Sequence, residues 1–97
     1  MKRANRNLKK ELSQIILREV DFPPGLFLTI IDVKLVENSR KAKVFISAFP
    51  REKTKQALKF LDEHIYKIQQ ILNKRFKKSS IHPKIVFLNN EEKKEYS

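Results

Sequence analysis

Ninety-seven residues suffice for one small hydrophobic core, and 40% apolar content is too high for a chain that stays unfolded, even with 34% charged residues. Twenty-two Lys and Arg against eleven Asp and Glu leave a net charge of +11, with an isoelectric point near 10.1, which points to a polyanionic partner, usually nucleic acid. The absence of cysteine excludes a disulfide framework and a thiolate metal site, and no apolar run of about 18 residues exists to span a membrane.

In residues 3–20, Leu8, Leu12, Ile15, Ile16 and Val20 recur at helical spacing, with Arg6, Lys9, Lys10, Gln14 and Arg18 on the remaining faces. The pattern predicts an amphipathic first helix. Because the basic start runs into this pattern rather than into a continuous apolar stretch, no secretory signal is expected and the cytoplasm is the expected location. Pro23, Pro24 and Gly25 stop the helix and turn the chain. Residues 26–36 are rich in β-branched and aromatic side chains, with Ile31, Val33 and Leu35 alternating against Asp32 and Lys34, and are predicted to form a strand. After a polar turn at 37–40, residues 41–49 resume a period of two. Ala42, Val44, Ile46 and Ala48 share one face; Lys43, Phe45, Ser47 and Phe49 share the other. Strands joined this closely form an antiparallel hairpin.

Residues 57–78 carry the longest helical stripe: Ala57, Leu61, Ile65, Ile68, Leu72 and Phe76 fall on one face, and Lys74, Arg75, Lys77 and Lys78 crowd its end. Pro50 opens this stretch, and Thr54 is expected to cap it. An unbroken helix over 51–78 would run roughly 40 Å. A compact chain of this size is only about 33 Å across, so a bend is predicted, around His64–Tyr66. Residues 79–83 break the pattern, and residues 84–89 form a short buried strand. A helical crossover between the second and third strands makes them parallel, which gives a single α+β domain over residues 1–97, with helices on one face of a three-stranded sheet and loose ends at 1–5 and 90–97.

Three basic clusters stand out: Lys2, Arg3, Arg6, Lys9 and Lys10; Arg40, Lys41 and Lys43; and Lys74, Arg75, Lys77 and Lys78. Any one is ordinary for a solvated surface; three at this net charge favour polyanion binding. Among the aromatics, core packing is the commoner use, and Phe45 and Phe49, opposite Val44 and Ile46 on their strand, are the better candidates for stacking on bases. His64 and His82 lack metal-ligand spacing, and Asp62 and Glu63 point away from His64 on a helix with no nucleophile motif beside them. No P-loop, dinucleotide fingerprint or triad is present, so no metal, cofactor, small-molecule substrate or catalysis is expected.

These elements resemble the bacterial ribosome-binding factor A family over residues 6–90. The likeness is carried by Leu17-Arg-Glu-Val-Asp21 leading into Pro23-Pro24-Gly25, by Ala42-Lys-Val-Phe-Ile-Ser47, by Leu61-Asp-Glu63, by Ile68 with Ile71-Leu-Asn-Lys74, and by Pro83-Lys-Ile-Val-Phe87. The resemblance implies a KH-type-II-like fold in the order α-β-β-α(kink)α-β. It also implies a factor that assists late maturation of the small ribosomal subunit, binds its rRNA near the docking decoding elements and leaves before translation. The family marks its kink with a small residue, one intervening residue and a glycine; here those positions hold His64, Ile65 and Tyr66, and the family's acidic residue after the last strand is replaced by Asn90. Gly25 is the only glycine, so the GXXG clamp of true KH domains is excluded. The expected RNA contacts are therefore Arg3, Arg6, Lys10, Arg40, Lys41, Lys43, Tyr66, Lys67, Lys74, Arg75, Lys77 and Lys78 of a monomer. The alternatives are a structural ribosomal or nucleoid protein and a small nuclease.

Overall fold

The computed structural model describes the backbone of residues 2–77 and 82–92 and the side chains of residues 7–77 and 82–91. Its elements follow the predicted order: α1 (Lys2–Glu19), β1 (Phe27–Val36), β2 (Lys41–Phe49), α2 (Thr54–Glu63), α3 (Ile65–Arg75) and β3 (Lys84–Asn89), with 3-10 turns at Arg51–Lys53 and Asn90–Glu92. β2 is central, antiparallel to β1 and parallel to β3. The alternation read from β2 sends Ala42, Val44, Ile46 and Ala48 into one core with Leu12, Ile15 and Ile16 of α1, Leu61 of α2, and Ile68 and Leu72 of α3. That core holds the helices on one face of the sheet.

β1 departs from strict alternation. Ile30 pairs with Ile46 and Asp32 with Phe45, so Ile31 is the extra residue of a β-bulge and is 38% exposed. The cause lies in the sequence, where Leu28 and Ile30 are in one phase and Val33 and Leu35 in the other; a regular strand would turn one set outward or aim Asp32 at the helices. The bulge lets all four face the core and corrects the expectation that Ile31 shares a face with Val33.

Two turns orient the strands. Pro23-Pro24-Gly25-Leu26 closes with the Leu26 amide donating to the Pro23 carbonyl at 3.2 Å; Gly25, at φ +82°, takes the left-handed position that only glycine adopts freely. The hairpin turn instead places Glu37, Asn38 and Ser39 at φ 54°, 57° and 66°, a left-handed run without glycine.

The long helical stretch bends at the predicted place. His64, at φ −107° and ψ 6°, separates α2 from α3, and its backbone N–H turns back to the Leu61 carbonyl at 3.0 Å. The Phe60 carbonyl thereby loses its usual helical partner. The His64 imidazole takes over: Nδ1 lies 2.9 Å from the Phe60 oxygen and, since a carbonyl only accepts, must carry the proton. The ring also packs on Phe60, which in turn meets Phe22. A histidine that repairs the hydrogen bond it interrupts thus serves where glycine would merely permit the bend. Thr54 does not cap α2; it is the first helical residue, and its hydroxyl donates to the Arg51 carbonyl at 2.7 Å.

Candidate nucleic-acid interface

The topology brings together basic clusters that are far apart in sequence. α1 is joined to β1 by a short turn, so its N-terminus points back toward the hairpin end of the sheet. β3 begins with Lys84 opposite Lys41, and the Lys84 amide donates to the Arg40 carbonyl at 2.8 Å, so the crossover through α2 and α3 delivers its C-terminus to the same end. α1 and α3 run antiparallel, tied by Arg75 to Glu11 at 2.6 Å and by Lys67 to the Glu19 carbonyl at 3.3 Å. One end of the domain consequently collects exposed Lys9, Lys10, Lys74 and Lys77 on the helix side, and exposed Arg40 and Lys84 with half-buried Lys41 and Lys43 around the hairpin.

Not every expected residue contributes equally. Arg75 is committed to Glu11, with both side chains about 30% exposed, and its guanidinium also reaches Gln14 at 3.4 Å, so it is a tie between helices before it is a free cation. Lys67 is held by Glu19 at the C-terminus of α1, where a cation complements the helix dipole. Tyr66 is 74% exposed but sits at the kink with Lys67, about 14 Å along α3 from Arg75. Arg3 and Arg6 lie on α1 toward the same end; their side chains, and all of Lys78, lie outside the described residues. Phe45 is 1% exposed and is corrected from stacking candidate to buried side chain, whereas Phe49 is 70% exposed.

Sequence reasoning overlooked Gln69. Its amide nitrogen donates to Asn73 Oδ1 at 3.0 Å and to the Pro83 carbonyl at 2.9 Å, and its oxygen accepts from the Ile85 amide at 2.9 Å. It therefore fixes the entry to edge strand β3, while His82 Nε2 donates to the Phe76 carbonyl at 2.9 Å and ties the same segment to the end of α3. Tyr66, Gln69, Asn73, His82 and Lys84 line a shallow groove between α3 and β3 of about 380 Å³. A polar residue on a half-buried helical position gives no periodicity signal, so only the fold reveals its partners.

A three-stranded mixed sheet with a bent helix crossing one face, and a cationic end without a glycine clamp, defines a KH-like α+β domain. The family pattern described as ribosome-binding factor A matches residues 1–97, and the chain belongs to that family. It is 38% identical over 77 residues to the ribosome-binding factor A of Halothermothrix orenii, covering 78% of this chain and 63% of that relative's length. A homology model of the Thermus thermophilus factor, fitted into the cryo-EM map of a 30S-RbfA complex, superimposes with a TM-score of 0.71 at 28% identity, covering 87% of this chain and 88% of that one. The crystal structure of ribosome-binding factor A from the same organism superimposes with a TM-score of 0.78 at 23% identity, covering 92% and 93%, and shares the fold.

Proposed function

We propose that this chain is a monomeric, cytoplasmic, non-catalytic factor that binds the rRNA of the small ribosomal subunit through its basic end and assists late maturation of that subunit. The observation that carries this reading is the convergence of the three sequence clusters onto one end of the fold. The first turn of α1 adds Lys2 and Arg3 and no acidic residue, so cations stand at the positive end of a helix dipole, a cost that phosphate relieves. The similar Thermus protein fitted with the 30S subunit gives the same direction. Among the described residues no group of three His, Asp or Glu side chains could hold a metal ion, and no helix is long and apolar enough to cross a membrane.

In this reading Lys9, Lys10, Lys74 and Lys77 carry the phosphate contacts, with Arg3, Arg6, Arg40, Lys41, Lys43 and Lys78 around them and Tyr66, Lys67 and Arg75 at the margin. The test is density-gradient fractionation of cell extract with antibody detection. The protein should be substoichiometric and confined to free or immature small subunits, and replacing Lys9, Lys10, Lys74 and Lys77 with Gln should release it and flatten the salt dependence of binding. Equal presence on translating ribosomes would overturn the maturation role in favour of a permanent structural component, and metal-dependent turnover of labelled RNA would overturn the absence of catalysis.

A further inference from the structure

The two edge strands of the sheet are finished differently. At β3 the outer edge is occupied by Gln69, whose side-chain oxygen accepts from the Ile85 amide at 2.9 Å. At β1, among the described residues, no group pairs with the outer edge of residues 27–30. Alternate residues of a strand turn their N–H and C=O outward, so this stretch presents donors and acceptors in the spacing of a β ladder. Proteins blunt such edges with charge, proline or a bulge, and β1 does so only from the Ile31 bulge onward. Phe27, Leu28, Thr29 and Ile30 include neither a charge nor a proline.

A groove of about 620 Å³ runs beside this edge, between β1 and α1. Val20, Leu26 and Ile30 form its buried floor, and Leu17 stands on its helix wall, 83% exposed. The two walls match in length: Ser13 to Val20 rises about 10 Å at helical pitch, and Phe27 to Ile30 spans about 10 Å of strand, room for one extended segment of about four residues. Charge grades along the groove. Lys9, Ser13 and Leu17 follow one another at a spacing of four and share one helix face, so exposed Lys9 marks the end nearest the basic end of the domain. Exposed Asp21 lies at the other end. The two carboxylates of α1 leave Lys9 uncompensated, because Glu11 and Glu19 face α3, held by Arg75 and Lys67.

We propose that this groove takes an extended peptide segment of a partner protein, which adds a strand antiparallel to β1 over residues 27–30, acidic at its N-terminal end and apolar after it. Backbone bonds to the edge hold the segment. Its side chains of one parity cover Leu17 and the buried floor, those of the other parity lie beside Phe27 and Thr29, and its acidic start meets Lys9. A second copy of this chain fits poorly, since each copy brings a net charge of +11 to the contact. RNA has neither backbone amides in ladder spacing nor apolar side chains for the groove. The site is separate from the RNA-binding reading except for Lys9, which belongs to both and stays unaltered in the test.

The test uses the full chain and the fluorescein-labelled peptide Asp-Glu-Val-Thr-Val-Thr. Its comparisons are versions N-methylated at the valines or at the threonines, and Lys-Lys-Val-Thr-Val-Thr, in which the charge is reversed. By anisotropy the acidic peptide should bind about tenfold tighter than the basic one, and N-methylation of one set, not the other, should abolish binding, because only alternate amides face β1. Amide hydrogen exchange followed by NMR should slow at alternate residues within 27–30. Leu17→Glu should weaken the acidic peptide about tenfold or more and Leu17→Ala about threefold. Leu17 is mostly in water, so both variants should melt like the parent by circular dichroism, and Leu17→Ala should keep its RNA affinity. No binding of the acidic peptide up to about 1 mM, binding that survives both N-methylations, or slowed exchange only outside 27–30 overturns the proposal. So does a parent dimer in sedimentation with the same amides already slowed, since a second copy would then cover the edge. Slowing of those amides by oligouridine overturns it too, by making the groove part of the RNA surface. If Leu17→Glu loses the peptide but the parent is absent from small subunits, the subunit role fails and the peptide site stands.

Discussion

On the helix side of the sheet Ala42, Val44 and Ile46 are fully buried, whereas Phe27 and Phe49, on the same hairpin but facing the other way, remain mostly in water. The strands are the same; only the parity of the residue differs. Burial of the first set is what folding requires, because a domain this small gains little stability beyond one core. The second set leaves two aromatic rings exposed, and nothing in the core's energetics calls for them. The difference separates residues whose burial holds the fold from residues that folding leaves in water, with Phe45 as the exception on the outer face.

Deletion of Val44 should break the comparison most severely, because a one-residue slip in the central strand exchanges its two faces and exposes Ala42 or Ile46. Loss of a cooperative transition by circular dichroism is expected. Phe45→Ala probes the exception: a side chain 1% exposed should cost about 3–5 kcal/mol in urea denaturation, as if it belonged to the helix side. His64→Ala tests the bend beneath the core face and should cost about 1–2 kcal/mol by leaving the Phe60 carbonyl without its imidazole donor. Deletion of Ile31, by contrast with that of Val44, should leave a cooperative fold within about 1 kcal/mol of the parent, since removing the bulged residue leaves Leu28, Ile30, Val33 and Leu35 in register on the core face. Phe49→Ala should shift stability by less than about 0.5 kcal/mol, because a residue 70% exposed has little burial to lose. A large loss there would mean that the outer face also holds the fold together.

Much of this was legible because period alone separates the elements. The 3.6-residue stripes of α1 and of the bent helix, and the two-residue pattern of β2, follow from the geometry of each element and survive in the structure. The bend was legible from length, since the straight alternative exceeds a domain that measures 37 × 31 × 19 Å with a radius of gyration of 13.0 Å. Its chemistry was not. A histidine reads as an ordinary helix residue until its amide and its ring are seen to serve Leu61 and Phe60 separately. The face of Phe45 was read correctly and its burial was not, because alternation gives the side of a strand without saying what covers it.

The sequence by itself determined the order of elements, the parallel arrangement that a long helical crossover imposes, the inward set of β2, the cationic character and the family resemblance. These depend on local geometry and on charge, both written along the chain. The tertiary structure alone decided which charges meet: it turned α1 and α3 antiparallel, joined Glu11 to Arg75 and Lys67 to Glu19, and placed Lys84 beside the hairpin. It also decided that Ile31 bulges, that Gln69 fastens the edge strand, and that Phe27 stands opposite Phe49 on the neighbouring strand. Such pairings join residues 14 to 64 positions apart, and a pattern read over one or two turns of chain holds no record of them.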